Sequence, residues 1–236
     1  MRTRLSLAVL SSGLLLATGV AVGGAVADQA RVGRAPAGVC AGVGSCRVVA
    51  HVDVTGDAAP DAVGLVRRGK DGAEKGTVTV RVRTSTGRIV TATQRTQFWH
   101  GSQWQGAGRL DGRAGRELVV GRIQGAHAQF FTVLTWRKKQ LVNLDAPGRG
   151  HSWGIDGAVS VDLGWQHRVG DPRGVIRKRS AVRQGNATQG SFRGTIRTFR
   201  WTRSGWARIG TKVVSPMSDE KAARWGGWRV RGIDRW

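Results

Sequence analysis

The residues best suited to chemistry in this sequence form one acidic segment, DVTGDAAPD, at residues 53–61. Its oxygen-bearing groups fall at alternating positions: the side chains of Asp53, Thr55, Asp57 and Asp61, and the carbonyl of Ala59. Oxygen ligands arranged around a glycine, here Gly56, are typical of a calcium loop, so we predict weakly bound Ca²⁺ as the cofactor, with a Kd of about 10⁻⁴–10⁻³ M. The alternative is an Asx-type turn, in which the carboxylates accept hydrogen bonds from their own backbone.

The acidic segment has a second copy 56 residues further along the chain, RLDGRAGRELVVGR, beginning at Arg109. Gly112 takes the place of Gly56, and Glu117 takes the place of Asp61. Two arginines replace acids in this copy, and we expect them to repel a cation or to pair with the remaining acids. A weaker third copy is GIDGAVSVD, in which Asp156, Gly157 and Asp162 hold the corresponding positions. The sequence therefore predicts degenerate repeats near residues 51–66 and 107–122.

The segment DVTGDAAPDAVGL resembles the D-x-D-G-D-x-x-x-D loop of FG-GAP/VCBS-type repeats, which occur in the propeller blades of integrin alpha subunits and in exported bacterial proteins. The segment LDGRAGRELVVG resembles a second such loop. The resemblance implies four-stranded blades and calcium-binding loops. The chain departs from the family because a seven-bladed propeller needs roughly twice this length. We therefore expect a small or partial propeller-like fold, or a divergent β fold that has kept the loop.

Other catalytic patterns are lacking in the sequence. The five histidines do not form a metal-binding spacing, and there is no G-x-S-x-G elbow and no phosphate-binding glycine loop. Only three glutamates are present, which leaves few carboxylates for a glycosidase pair. We therefore predict a protein without enzymatic activity. The alternative is an exported hydrolase whose site is assembled from residues distant in sequence.

Ten tryptophans and no tyrosine make the aromatic content unusual. The simplest interpretation is that tryptophan supplies the aromatic part of the core. The alternative is a binding face in the C-terminal segment RWGGWRVRGIDRW, where tryptophan and arginine alternate and could stack by cation–π contact. The residues of that predicted face are Trp225, Trp228, Arg229, Arg231 and Trp236.

The charge of the chain is strongly positive, with 38 Lys and Arg against 15 Asp and Glu. Such a protein attracts polyanions, and a protein or an anionic glycan of the cell envelope is the predicted partner. Nucleic acid is disfavoured because the basic residues are spread along the chain. The alternative explanation is that arginine reflects a high-GC genome. We expect a monomer.

The N-terminus has the layout of an export signal. Arg2 and Arg4 precede an apolar stretch, and Ala25-Val26-Ala27 fits the cleavage rule, so residues 1–27 are predicted to be a signal peptide. A retained anchor is the alternative. Residues 28–45 are predicted to be a flexible leader that ends in a short disulfide loop between Cys40 and Cys46. We expect a protein that is secreted or associated with the cell envelope, with no transmembrane segment after cleavage.

The rest of the chain reads as short strands separated by glycine-rich turns. Residues 77–83 alternate apolar and polar side chains, TSTG follows as a turn, and a second strand runs back. One short helix is predicted after Ser218, which fits an N-cap. We therefore predict a single all-β domain over residues 46–236, built as a small or partial β-propeller-like fold of antiparallel sheets with one short C-terminal helix.

Overall fold

The computed structural model describes residues 38–186 and 188–235, which belong to one compact unit. The predicted signal peptide (1–27), most of the predicted leader (28–37) and Trp236 lie outside the described residues. The strands are β1 (Cys46–Val52), β2 (Asp61–Arg68), β3 (Gly76–Arg83), β4 (Ile89–Thr96), β5 (Trp104–Gly108), β6 (Glu117–Gln124), β7 (Ala128–Arg137), β8 (Gln140–Asn143), β9 (Trp153–Ala158), β10 (Val161–Gln166), β11 (Val175–Arg183), β12 (Phe192–Thr202), β13 (Gly205–Met217) and β14 (Gly227–Arg229), and the helix is α1 (Asp219–Ala223).

The first sheet is an antiparallel meander of four strands in the order β1-β2-β3-β4. It forms because the residues of β3 alternate between apolar and polar. Val78, Val80 and Val82 are fully buried toward the interior, and the threonines and arginines between them point to the other side. The sheet therefore has an apolar inner face and an outer face rich in threonine and arginine.

The second sheet has ten strands, eight of which follow the order β13-β12-β11-β10-β9-β7-β6-β5. Strands β5 to β8 repeat the four-stranded meander of the first sheet, and β10 to β13 form a third meander. Strand β9 joins the second meander to the third because it pairs with β7 and with β10. Strand β14 pairs in parallel with β10. The described chain thus contains three successive antiparallel meanders.

The prediction of an all-β protein with antiparallel sheets and one short C-terminal helix is confirmed. Helix α1 begins where the sequence places it, because the Ser218 side chain accepts a hydrogen bond from the Lys221 backbone N–H. Within residues 38–186 and 188–235, we find no helix of the length and apolar character needed to cross a bilayer.

Tryptophan supplies much of the core. Trp153, Trp165 and Trp228 are at most 2% exposed, and their ring centroids lie 4.6–6.4 Å apart. These rings hold β9, β10 and β14 together through large buried apolar surfaces. A second apolar cluster, which includes Val80 and Leu118, joins the inner face of the first sheet to the second meander.

The disulfide loop is packed on the outer face of the first sheet. Cys40 and Cys46 lie at disulfide distance, with their Cα atoms 5.3 Å apart, as their spacing predicts. A Cβ atom on Gly64 of β2 would meet both sulfur atoms at 3.1 Å. Val39 is 2% exposed, and its carbonyl accepts a hydrogen bond from Arg81. Val39 and the two cysteines are therefore packed against the sheet at the end of the segment that was predicted to be a leader.

Candidate functional site

The side chain of Asp61 accepts hydrogen bonds from the backbone of the predicted calcium loop. The Asp61 carboxylate is fully buried, and its Oδ2 atom accepts hydrogen bonds from the backbone N–H groups of Val54 (2.8 Å) and Thr55 (2.9 Å). Its Oδ1 atom accepts from the Ser85 N–H at 2.8 Å. Because three donors converge on this carboxylate, its negative charge is compensated by the backbone.

Asp53 and Asp57 are engaged in the same way. The two oxygens of Asp53 accept from the N–H groups of Gly56 (2.6 Å) and Ala58 (3.1 Å). Asp57 accepts from the Ser85 hydroxyl (2.6 Å) and the Ala59 N–H (2.9 Å), and these two bonds lower the pKa of Asp57.

These hydrogen bonds decide how well the loop fits a calcium ion. The six carboxylate oxygens of the loop bond to protein donors, and Ala59 contributes its N–H to them. The buried hydroxyl of Thr55 lacks a hydrogen-bond partner among the described residues. No group of three or more acidic, histidine or cysteine side chains in metal-binding proximity occurs in the described part of the chain. The donor set therefore fits calcium poorly, and the geometry is that of an Asx-type turn.

The second loop, residues 109–116 between β5 and β6, repeats this arrangement. Glu117 accepts from the Leu110 N–H at 2.6 Å, as Asp61 accepts from the equivalent position of the first loop. Glu117 also accepts from the Thr135 hydroxyl at 3.1 Å. Burial, together with the nearby Asp111 carboxylate, raises the pKa of Glu117 to about 7. Asp111 pairs with Arg137 of β7, whereas the sequence suggested an arginine of the loop itself.

The predicted third copy is in a different place. Asp156 and Asp162 lie within β9 and β10, so GIDGAVSVD is not a connecting loop. The loop that joins the first two strands of the third meander is residues 167–174, which has the same length as residues 53–60 and 109–116. Gly170 adopts a left-handed φ of 86°, as Gly56 does at the same loop position. This copy is not recognisable in the sequence because a valine, Val175, replaces the acid at its ninth position.

The three loops pack against one another in chain order. The Arg116 N–H donates to the Asp53 carbonyl at 2.8 Å, which joins the first loop to the second. A Cβ on Gly112 would lie 2.4 Å from the Gly174 nitrogen, so the second loop touches the third at backbone distance. The contacts between these loops therefore join one meander to the next.

The C-terminal arginine–tryptophan face is largely internal. Trp225 and Trp228 are 9% and 1% exposed, so no ligand can stack on their rings while the core is intact. Arg229 is half-buried and Arg231 is exposed, while Trp236 lies outside the described residues. Trp228 is buried because residues 227–229 form β14 and pair with β10, and Trp225 is buried because it packs in an apolar cluster with Phe192 and Met217.

A basic cleft of about 970 Å³ lies where the first sheet meets the second. Its charged lining residues are all cations: Arg68, Lys75, Arg95 and Arg122. All four are exposed, and none forms an ion pair with a carboxylate of the described chain. The polar lining residues that supply hydroxyl and amide groups are Thr77, Thr93, Thr96, Gln94 and Gln97. The cleft therefore combines unpaired positive charge with neutral hydrogen-bonding groups.

The cleft is held by contacts between the two sheets. Gln97, just after β4, forms a parallel bridge with Ile123 of β6, and its N–H donates to the Arg122 carbonyl at 2.8 Å. Gly76 of β3 also lines the cleft, and a Cβ there would meet the hydroxyl of its β4 neighbour Thr96 at 2.9 Å. Arg68 and Arg122 stand far apart in the sequence and meet only because of this junction. For that reason the cleft cannot be predicted from the sequence, although the alternation in β3 places its arginines on the outward face.

A second cavity of about 340 Å³ is lined by a histidine and a serine, His51 and Ser85, which are residue types that a hydrolase can use. The Ser85 hydroxyl donates to Asp57, so its proton is not directed to an imidazole. His127 pairs with Asp156 at 3.0 Å, but no hydroxyl or thiol among the described residues hydrogen-bonds to that ring. Neither Ser85 nor His127 is therefore part of a hydroxyl–imidazole hydrogen bond in this structure.

Compared with protein-family models, curated proteins and solved structures, the chain matches none of them. The resemblance to FG-GAP/VCBS-type repeats stays a prediction, and the function is argued from the site itself.

Proposed function

We propose that this protein is an exported, non-catalytic binding module that holds an anionic glycan at the cell envelope or outside the cell. The observation that carries the proposal is the basic cleft, in which four unpaired cations and no carboxylate line one concavity. Exposed cations gathered in a concave site raise the local concentration of anions and orient their anionic groups.

The neutral lining favours a glycan among the polyanions. Threonine hydroxyls and glutamine amides can both donate and accept hydrogen bonds, as sugar hydroxyls require. None of the lining residues is aromatic. Proteins that bind single-stranded nucleic acid stack bases on aromatic side chains, so the cleft lacks the usual feature for that ligand.

Binding is favoured over hydrolysis by the same geometry. A hydrolase needs a concave site in which a nucleophile or a water is paired with a general base. The lining of the basic cleft contains neither histidine nor a carboxylate. An exported hydrolase is the second candidate, and the cavity that holds His51 and Ser85 would be its site.

Export is supported by two features. The N-terminal sequence has the layout of a signal peptide. Cys40 and Cys46 lie at disulfide distance, and such bonds persist in oxidising compartments. We propose a secreted or envelope-associated location on these grounds.

The test is a binding measurement with polygalacturonate, a linear glycan that carries one carboxylate per sugar, at low ionic strength. Fully methyl-esterified polygalacturonate is the matched neutral probe. We expect the anionic form to bind, the neutral form not to bind, and the affinity to fall as salt is added. The double variant Arg95→Ser/Arg122→Ser should weaken binding about tenfold, since each exposed pair contributes at most about 1 kcal/mol.

The control removes the same charge elsewhere. The variant Arg193→Ser/Arg197→Ser alters two exposed arginines of β12, outside the cleft. It should bind like the unmodified protein. Equal weakening in both double variants would show that only net charge matters, and the proposed site would then be wrong. Release of reducing sugar from the glycan would favour the hydrolase.

A further inference from the structure

We infer that the outer face of the first sheet continues the basic cleft as a binding track for an extended anionic polysaccharide. The ligand would then be a polymer and not a small anion. This inference rests on the proposed function. The track is defined here by outward-facing residues of β3 and β4: Arg95, Thr93, Thr79, Thr91 and Arg83.

The register of β3 and β4 places these side chains on one face. Thr79 lies opposite Thr93, and Arg83 lies opposite Ile89, while the intervening valines of β3 point to the core. From Arg95 to Ile89 the strand advances by six residues, so the track is about 20 Å long at about 3.4 Å per residue. A single small anion would occupy only one end of it.

The track has a cation at each end and hydroxyl groups between them. Arg95 stands at the cleft end and Arg83 at the far end. Between them, Thr91 and Thr93 are exposed, and the Thr79 and Thr93 hydroxyls lie 2.8 Å apart. The outward-facing residues of β2, β3 and β4 include no carboxylate and no aromatic ring. A chain with carboxylates and hydroxyls repeated along its length matches this pattern.

The two cavities of the first sheet lie at opposite ends of the same face. The basic cleft is lined by Arg68 and Arg95, and the smaller cavity is lined by Arg83 and His51, which are all outward-facing positions. The disulfide loop stands over β2 between them, with Val39 in the lining of the smaller cavity. The loop therefore forms one wall, and the track continues along β3 and β4 beside it.

Arg81 does not belong to the track, although it shares its face. Its Nε–H donates to the Val39 carbonyl at 2.9 Å, so this side chain is committed to the disulfide loop. Arg83 has no hydrogen bond to a described residue and is half-exposed. Arg83 is therefore the cation that distinguishes the track from the cleft.

The test is calorimetric titration of the full chain with oligogalacturonates from monomer to octamer. We expect the affinity to rise with length until the oligomer spans about 20 Å and then to level off. Arg83→Ser should lower the affinity for the octamer about fivefold and leave the affinity for the dimer unchanged. Arg208→Ser, which removes an exposed arginine of β13, is the matched control and should change neither value.

The outcomes separate the track from the proposed function. The inference of a track is wrong if octagalacturonate binds no more tightly than digalacturonate. It is also wrong if Arg208→Ser weakens the binding of octagalacturonate as much as Arg83→Ser does. In that case, loss of dimer binding in Arg95→Ser/Arg122→Ser would still support the cleft. Dimer binding that survives the cleft substitutions would overturn the proposed function itself. An oligothymidylate that binds more tightly than an oligogalacturonate of equal length would overturn the choice of a polysaccharide.

Discussion

Glu117 offers a direct test of the repeat geometry, because its carboxyl group is buried at the second loop as Asp61 is at the first. Substituting Glu117→Gln keeps the shape of the side chain. The amide oxygen can still accept from the Leu110 N–H, and the amide N–H can donate to the Thr135 hydroxyl. The substitution therefore removes mainly the ability to ionise.

The magnitude follows from the pKa of this carboxyl. Burial first, and the Asp111 carboxylate second, raise the pKa of Glu117 from its ordinary value of 4.5 to about 7. The folded protein thus holds the proton more tightly than the unfolded chain does. The resulting stabilisation is complete below about pH 4.5 and is lost as the pH rises through about 7. The difference between the ordinary pKa of 4.5 and the pKa of about 7 in the folded protein corresponds to about 3 kcal/mol of unfolding free energy.

The assay is urea unfolding of the unmodified protein and of Glu117→Gln between pH 4.5 and 8. We expect the variant to gain about 3 kcal/mol relative to the unmodified protein over this range, equivalent to a Tm difference of roughly 6–12 °C. Glu74→Gln, which alters an exposed carboxylate, is the control and should follow the unmodified protein. Parallel curves for Glu117→Gln and the unmodified protein would refute the reasoning, since the buried carboxyl would then titrate alike in both states.

Three further predictions concern the interior and the loops. Gly112→Ala should lower the free energy of unfolding by about 3 kcal/mol, because the new Cβ would lie 2.4 Å from the Gly174 nitrogen at a φ of 77°. The control Gly101→Ala, with a φ of 70° and open space around the Cβ, should lower it by about 1 kcal/mol. Equal losses of stability in thermal unfolding would contradict the contact between the loops. Arg179→Met should leave the unfolding free energy unchanged or raise it by about 1–2 kcal/mol, since the buried Arg179 Nε and Nη2 atoms lack partners among the described residues; a clear loss in urea unfolding would reveal a missing acceptor. Millimolar Ca²⁺ should leave the Tm unchanged, and a rise that disappears in Asp57→Ala would instead establish the metal loop.

The fold class could be predicted because its determinants are local. Period-two alternation identifies β3 directly, since each apolar residue of that strand is buried. The Ser218 cap likewise depends on neighbouring residues only. Strands β5 and β14 show no such local pattern, because they are short and rich in glycine and tryptophan, so pairing with distant strands decides their conformation.

The candidate site could be predicted only in part. The acid at the ninth position of the loop is recognisable in the sequence, but whether it binds an ion or backbone N–H groups depends on donors such as Ser85, which lies 24 residues away. The basic cleft needs the junction of Gln97 with Ile123, and no local pattern predicts that bridge. The burial of Trp228 is equally non-local, because it follows from the pairing of β14 with β10.

The three connecting loops show how a repeat can keep its shape while its carboxylates change partners. In the first loop, the carboxylates accept hydrogen bonds from N–H and hydroxyl groups. In the second, Arg137 pairs with Asp111, and in the third, Arg177 pairs with Asp171. A guanidinium supplies positive charge and directed N–H donors to a carboxylate, which a bound cation would otherwise do through coordination. The carboxylates of the loops are thus neutralised within the chain itself, whereas the cleft cations Arg68 and Arg95 of the first sheet have no carboxylate partner among the described residues.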